Sequence, residues 1–234
     1  MKKRVCVIIP AYNEGPVIAD VIKSALATFS KDRTYTIDII VIDDGSKDKT
    51  AQAATAAGVK VIRHILNTGA GGATLTGLAH ARQQEYDIAA TMDADGQHDP
   101  GDVLAGIHRV HDNRNDLLIG SRLIDSTGMS KTKILGNRGL SLITRMLFNV
   151  NVTDSQSGLR VYSRRAIERL DWKNNGYEFC SEMIWRAKQA KMSVAEYPIK
   201  AIYTDYSKSK GQNNWNAINI IKRLFKQRLV EFFE

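Results

Sequence analysis

The chain has 234 residues, 43% of them hydrophobic and 25% charged, with a net charge of +8. That length suits one α/β domain or two small ones, and four prolines with no repeat or Pro/Ser-rich linker favour a single compact domain. A basic surface suits nucleic acid, an anionic membrane or a phosphorylated substrate, while two widely separated cysteines exclude a disulfide framework and fit a reducing compartment.

The first segment, MKKRVCVIIPAYNEG, sets basic residues before an apolar run, as a secretory leader does. Pro10, Asn13 and Glu14 break that run early, and no small-residue cleavage site follows. RVCVIIP therefore predicts a buried strand that ends in the polar cluster AYNEG, and Val17, Ile18, Val21, Ile22 and Ala25 then mark a helical stripe. IDIIVIDD predicts a second strand closing on DDGSKDKT, where Ser46 is expected to cap a helix from near Asp48. An Asp-Gly turn explains Gly45 and Ser46 but leaves the two carboxylates of Asp43 and Asp44 unexplained.

VKVIRH predicts a third strand, followed by NTGAGGATLTG and a helical stripe of Ala73, Leu75, Leu78 and Ala79. DIAATMDAD predicts a fourth strand running into DADGQHDP. There Asp99 suits the cap before Pro100, and Val103, Leu104, Ile107 and Val110 carry the next helix. DLLIGSR is the fifth strand. Strands that alternate with helices imply a mostly parallel sheet with right-handed crossovers and helices on both faces.

Ligands of such sheets gather beyond the carboxyl ends of the strands, where AYNEG, DDGSKDKT, DADGQHDP and GSR all fall. The glycines of NTGAGGATLTG do not have dinucleotide spacing, since Thr74 stands three after Gly71, and no phosphate-loop motif occurs. Asp93 and Asp95 are two carboxylates one residue apart, a pairing that calls for a cation. Carboxylates on the functional edge would repel a nucleic-acid backbone, so no nucleic-acid partner is expected. His108 and His111 share a helix face without a zinc pattern and read as surface residues. No run approaches the length of a membrane span.

VIIPAYNEGPVI, VIDDGSKDKT, RHILNTGAGGATLTG, TMDADGQHDP and TDSQSGLRVYSR together resemble, in order, the motifs of family 2 glycosyltransferases. The nearest branch is that of polyprenyl-phosphate sugar transferases of the dolichyl-phosphate mannose synthase kind. The likeness covers about residues 4–205. It implies a GT-A fold with a Rossmann-like central sheet over residues 1–212, followed by an amphipathic helical segment at 213–234. It also implies an inverting, metal-dependent reaction on a nucleotide-diphosphate sugar, GDP- or UDP-linked. Mg²⁺ or Mn²⁺ would be held by Asp93, Asp95 and Gln97, and hard ions of this kind prefer such oxygen donors. Pro10, Ala11, Tyr12, Glu14, Asp43, Asp44, Gly71, Asp93, Ala94 and Asp95 would line the nucleotide-sugar pocket, Asp44 receiving base or ribose.

DSQSGLR resembles the family's acceptor motif, with Leu159 in place of the usual Phe. Arg160 is then expected to grip a phosphate in a fork, with Arg122, Arg138 and Ser157 around it. A polyprenyl phosphate acceptor is already ionised, whereas a glycan hydroxyl needs a base, for which Asp154 and Glu182 are the candidates. Lys208 and Lys210 lie in YTDYSKSKGQ, where Tyr203 replaces an expected arginine and leaves both acceptors open. Beyond it, Ile218, Ile221, Phe225, Leu229 and Phe232 with Lys222, Arg223, Lys226 and Arg228 resemble a helix on an anionic membrane surface. The expected location is cytoplasmic, peripheral at the inner face of the cell membrane.

Overall fold

The structure, a computed structural model, describes residues 2–206. In chain order the elements are β1 (Lys3–Ala11), α1 (Ile18–Phe29), β2 (Tyr35–Asp43), α2 (Thr50–Ala56), β3 (Lys60–Arg63), α3 (Ala70–Gln83) and β4 (Ile88–Thr91). Then come α4 (Pro100–Asp112), β5 (Leu117–Ser121), α5 (Lys131–Phe148), β6 (Arg160–Ser163), α6 (Arg164–Arg169), α7 (Phe179–Gln189) and β7 (Val194–Pro198). The strands form one sheet in the order β3-β2-β1-β4-β6-β5-β7. All pairings are parallel except the two made by β6, which runs antiparallel between β4 and β5.

Continuous apolar runs became strands because both faces of the sheet are covered. Val5 to Ile9 are all fully buried, each contributing roughly 1.5–3 kcal/mol of burial. Alternate residues of β1 and β2 enter opposite cores: Cys6, Ile8, Ile40 and Ile42 meet α3 and α7, while Val5, Val7, Ile9 and Val41 meet α1 and α4. Both cysteines are free and buried. Among the described residues no helix is long and apolar enough to cross a membrane.

Two local expectations shift and one holds. β4 ends at Thr91, so Asp93 and Asp95 stand in the turn beyond it rather than in the strand. Helix α2 begins at Thr50, and Ser46 does not cap it; the Ser46 hydroxyl accepts the Asn13 N–H at 2.9 Å and ties the first two strand-end loops together. Asp99 does cap α4, accepting the Gly101 N–H at 2.8 Å with Pro100 in the first turn. The element that matters most for function is β6. Being reversed, it begins where its neighbours end, and so delivers loop 154–159 to the same edge as the strand-end clusters.

Candidate active site

Beyond β1–β3 this edge opens into a cleft of ≈ 630 Å³ lined by Tyr12, Gly45, Ser46, Lys47, Arg63 and residues 64–67. Tyr12 is exposed there, whereas Ala11 is buried and its carbonyl accepts the Asp44 N–H. Pro10 and Glu14 flank them, half-buried, with the Glu14 N–H on Thr50 Oγ1 at 2.8 Å. Asp43 is fully buried: Oδ1 accepts the Ser46 N–H at 3.2 Å and Oδ2 faces Arg63 Nε at 3.1 Å.

Asp44 departs from expectation. Its Oδ1 accepts from the Thr68 backbone N–H, the Thr68 hydroxyl and His64 Nδ1, and its Oδ2 from the Gly69 N–H, all within 2.8 Å. The side chain is 4% exposed. Three of these bonds fall on Oδ1 and one on Oδ2, so in this structure Asp44 staples loop 64–69 and keeps acceptor capacity on Oδ2 alone. Gly71 is likewise turned inward. A Cβ there would stand 2.4 Å from the Asn174 carbonyl oxygen, so the glycine admits the 174–175 backbone, not a nucleotide.

Burial pushes the Asp44 carboxyl up, but the bonds from Thr68, His64 and Gly69 outweigh it and hold the group below its usual range. A depressed carboxyl stabilises the fold above its unfolded value and loses that contribution as pH falls through its folded value. Asp44→Asn should therefore melt below wild type by a constant margin from about pH 5 to about pH 8, the margin closing only below about pH 4. A margin flat down to acid pH in thermal melts would remove the staple.

At the centre of the edge stands the acidic pair. The Asp93 side chain is 43% exposed, Ala94 is buried in the core, and Asp95 is half-buried. The Asp95 carboxylate accepts from the Gln97 backbone N–H at 3.0 Å and from its side-chain amide. Burial and then the Asp93 charge push the Asp95 carboxyl up, as expected of two carboxylates confined together. Among the described residues no cluster of three His, Cys, Asp or Glu side chains surrounds a single point. Two carboxylates and a nearby amide fit a hard ion that completes its shell with phosphate and water oxygens.

His98 went unnoticed in the sequence. It is buried, its Nδ1 accepts the Asp93 N–H at 3.1 Å, and its Nε2 lies 3.6 Å from Asp93 Oδ2. The only signal available was its place between Gln97 and Asp99. The other expected surface histidines are half-committed: His108 bonds Asp32 at 2.8 Å, and His111 is partly exposed.

Beyond β5, Arg122 is gripped by Asp154 through Nε at 2.8 Å and Nη2 at 2.9 Å, and its backbone N–H joins them at 3.1 Å. Burial lowers the arginine's proton affinity, but the Asp154 carboxylate, and behind it the Asp93 charge, raise it above its ordinary value. Asp154 is itself fully buried and held by Glu196, which accepts the Thr153 and Asp154 N–H groups. Tyr203 lies within the field of Arg122 and Asp154, and Lys133 stacks 3.8 Å over its ring. A lysine from α5 thus supplies charge where the sequence offers a tyrosine. Arg138 is exposed on the same helix.

Three acceptor expectations fail on burial. Arg160 is 1% exposed; its guanidinium donates to the Ser155 and Cys180 carbonyls and to Met183 Sδ, so it cannot grip an external phosphate. Ser157 is fully buried. Glu182 is also fully buried, accepting the Lys173 and Asn174 N–H groups and pairing with Arg186, so it is a scaffold for that loop and no general base. Lys208, Lys210 and segment 213–234 lie outside the described residues.

The sequence profile of the family described as Glycosyl transferase family 2 matches residues 6–171. The chain belongs to that family. A UDP-N-acetylglucosamine–dolichyl-phosphate N-acetylglucosaminyltransferase of Methanococcus voltae is 38% identical, the match covering 97% of this chain and 97% of the relative. An undecaprenyl-phosphate mannosyltransferase of Micrococcus luteus is 30% identical over 88% of this chain and 87% of its own length. Among solved structures, glucosyl-3-phosphoglycerate synthase of Mycobacterium tuberculosis, in complex with Mn²⁺, UDP and glucosyl-3-phosphoglycerate, superposes with a TM-score of 0.73 at 18% identity. That match covers 98% of this chain and 79% of the other, and it shows a shared fold. This family 2 glycosyltransferase divides its edge into a cleft beyond β1–β3, an acidic pair after β4, and cationic side chains just after β5 and on α5.

Proposed function

We propose that this glycosyltransferase moves a sugar from a nucleotide-diphosphate sugar to a polyprenyl phosphate, with a divalent cation on Asp93 and Asp95. The observation that carries the acceptor is the state of the two candidate bases. Asp154 is locked in an ion pair and Glu182 is buried under backbone N–H groups. A glycan hydroxyl would need one of them free, whereas a phosphate monoester attacks as the anion it already is. The named activities of the two relatives point the same way.

When bound, Mg²⁺ or Mn²⁺ acts as a Lewis acid that stabilises charge growing on the leaving diphosphate. This chain's own residues would then divide the remaining work. The cleft beside Tyr12 receives the nucleoside. Arg122, oriented by Asp154, with Lys133 and Arg138 on α5, receives the acceptor phosphate. The family resemblance adds inversion at the anomeric carbon. The test is direct: purified enzyme with UDP- and GDP-sugars, Mn²⁺, and either a short polyprenyl phosphate or a glycan. Glycosyl transfer to the lipid phosphate with an inverted linkage by NMR is expected. Transfer to glycan hydroxyls alone would overturn the acceptor.

Helix α5 also supports docking on an anionic bilayer. Leu135, Leu142 and Met146 are 75%, 55% and 75% exposed, and Arg138 and Arg145 share their side of the helix. No Asp or Glu occurs between Asp125 and Asp154. An apolar stripe flanked only by positive charge is what an interfacial helix presents to a negative cytoplasmic leaflet. Leu142→Glu with Met146→Glu should cut co-sedimentation with phosphatidylserine vesicles while leaving the melting temperature unchanged. Undiminished sedimentation would move the membrane contact elsewhere.

A further inference from the structure

We infer that Gly158 and His98 are positioning residues that fix the Asp93 carboxylate from two sides, setting how tightly the acidic pair can hold a cation. The inference rests on the metal reading above but concerns residues that do not themselves bind the ion.

Gly158 forms the wall. A Cβ built on it would stand 2.2 Å from Asp93 Oδ1 and 2.8 Å from both Cγ and Oδ2. The carboxylate therefore lies across the glycine Cα, in a space that any side chain would fill. The wall cannot retreat: Thr91 Oγ1 donates to the Gly158 carbonyl at 2.7 Å, anchoring the loop to the last residue of β4. Two residues on, β6 begins and joins β4 in register. An added methyl would displace the tip of the Asp93 side chain rather than the backbone.

His98 faces the other side. Because Nδ1 accepts the Asp93 N–H, a neutral ring carries its proton on Nε2, which lies 3.6 Å from Asp93 Oδ2. That separation exceeds a hydrogen bond, so the contact is a dipole facing a charge. The ring is enclosed by the protein, its side chain being 1% exposed. Outer groups that orient metal ligands typically account for roughly ten- to hundredfold in metal affinity.

The experiment titrates the full-length enzyme with Mn²⁺, read by electron paramagnetic resonance of the free ion, alongside thermal melts in metal-free buffer. Gly158→Ala should weaken Mn²⁺ binding roughly tenfold or more with an unshifted melt. His98→Asn keeps an acceptor for the Asp93 N–H and removes the Nε2–H, and should weaken binding by a smaller factor. A double-mutant cycle isolates the route: in an Asp93→Asn background, adding Gly158→Ala should change Mn²⁺ affinity no further. Should Gly158→Ala fail to fold, His98→Asn carries the decision. If wild type binds Mn²⁺ and both variants bind it equally well, the positioning role is overturned while the metal reading stands. If wild type binds none, the metal reading falls and takes this role with it.

Discussion

Asp95→Asn should abolish sugar transfer while leaving the metal-free protein at least as thermostable as wild type. Metal stabilisation of a leaving diphosphate amounts to several kcal/mol, so losing a charged ligand lowers kcat by about a hundredfold or more. Stability moves the other way because Asp93 and Asp95 repel each other, and the amide removes one of the two charges. Asp93→Asn should be comparably severe. Asp99→Asn should be nearly silent, since Asn and Asp cap helices about equally well. Wild-type turnover that survives excess EDTA would sink the metal role of both aspartates.

The second large effect belongs to the Asp154–Arg122 pair. Asp154 is fully buried and Arg122 is 17% exposed, so removing one partner leaves an uncompensated charge, at a cost of about 3–5 kcal/mol. Asp154→Asn should lower both the melting temperature and transfer, and alkali should not restore transfer, because no base was lost. Arg122→Lys keeps the charge but loses the fork. It should depress transfer to polyprenyl phosphate far more than slow hydrolysis of the donor by water. A pH–rate profile for Asp154→Asn that lost only its acidic limb would reinstate Asp154 as a base and a hydroxyl as the acceptor. Arg160→Lys, by contrast, should register as a stability defect, because that guanidinium bonds only to the interior.

The parts of this molecule legible in the sequence are those set by local chemistry. Buried strands gave continuous apolar runs, and parallel connectivity followed from their alternation with helical stripes. The acidic pair at 93 and 95 stood out because two carboxylates have no structural reason to end a strand. The acceptor side was less legible because burial cannot be read from residue type. Asp154, Arg160 and Glu182 look like solvent-facing chemistry in the sequence, yet all three are buried: Asp154 and Arg160 against partners 20 or more residues away, Glu182 under the loop just before its own helix. The stapling role of Asp44 is hidden for the same reason, since its partners Thr68 and Gly69 arrive from beyond the next strand. His98 had only its place in the DADGQHDP segment to mark it, and Lys133 carried no local signature. Strand β6, four residues long and reversed, gave no periodicity to find.

That reversed strand also has a bearing on how the enzyme comes to exist during its own synthesis. Thr91 and Gly158 are 67 residues apart in sequence, so a ribosome releases the acidic pair long before it releases the wall behind it. A nascent chain that has emitted β1 to β4 already carries Asp93 and Asp95, but the groove that β6 will occupy is still open. Non-local strand pairings form late because loop closure precedes their reward. The final arrangement of the acidic pair should thus mature only when β6 slots between two strands already made, keeping the unfinished polypeptide catalytically silent until its second half has folded.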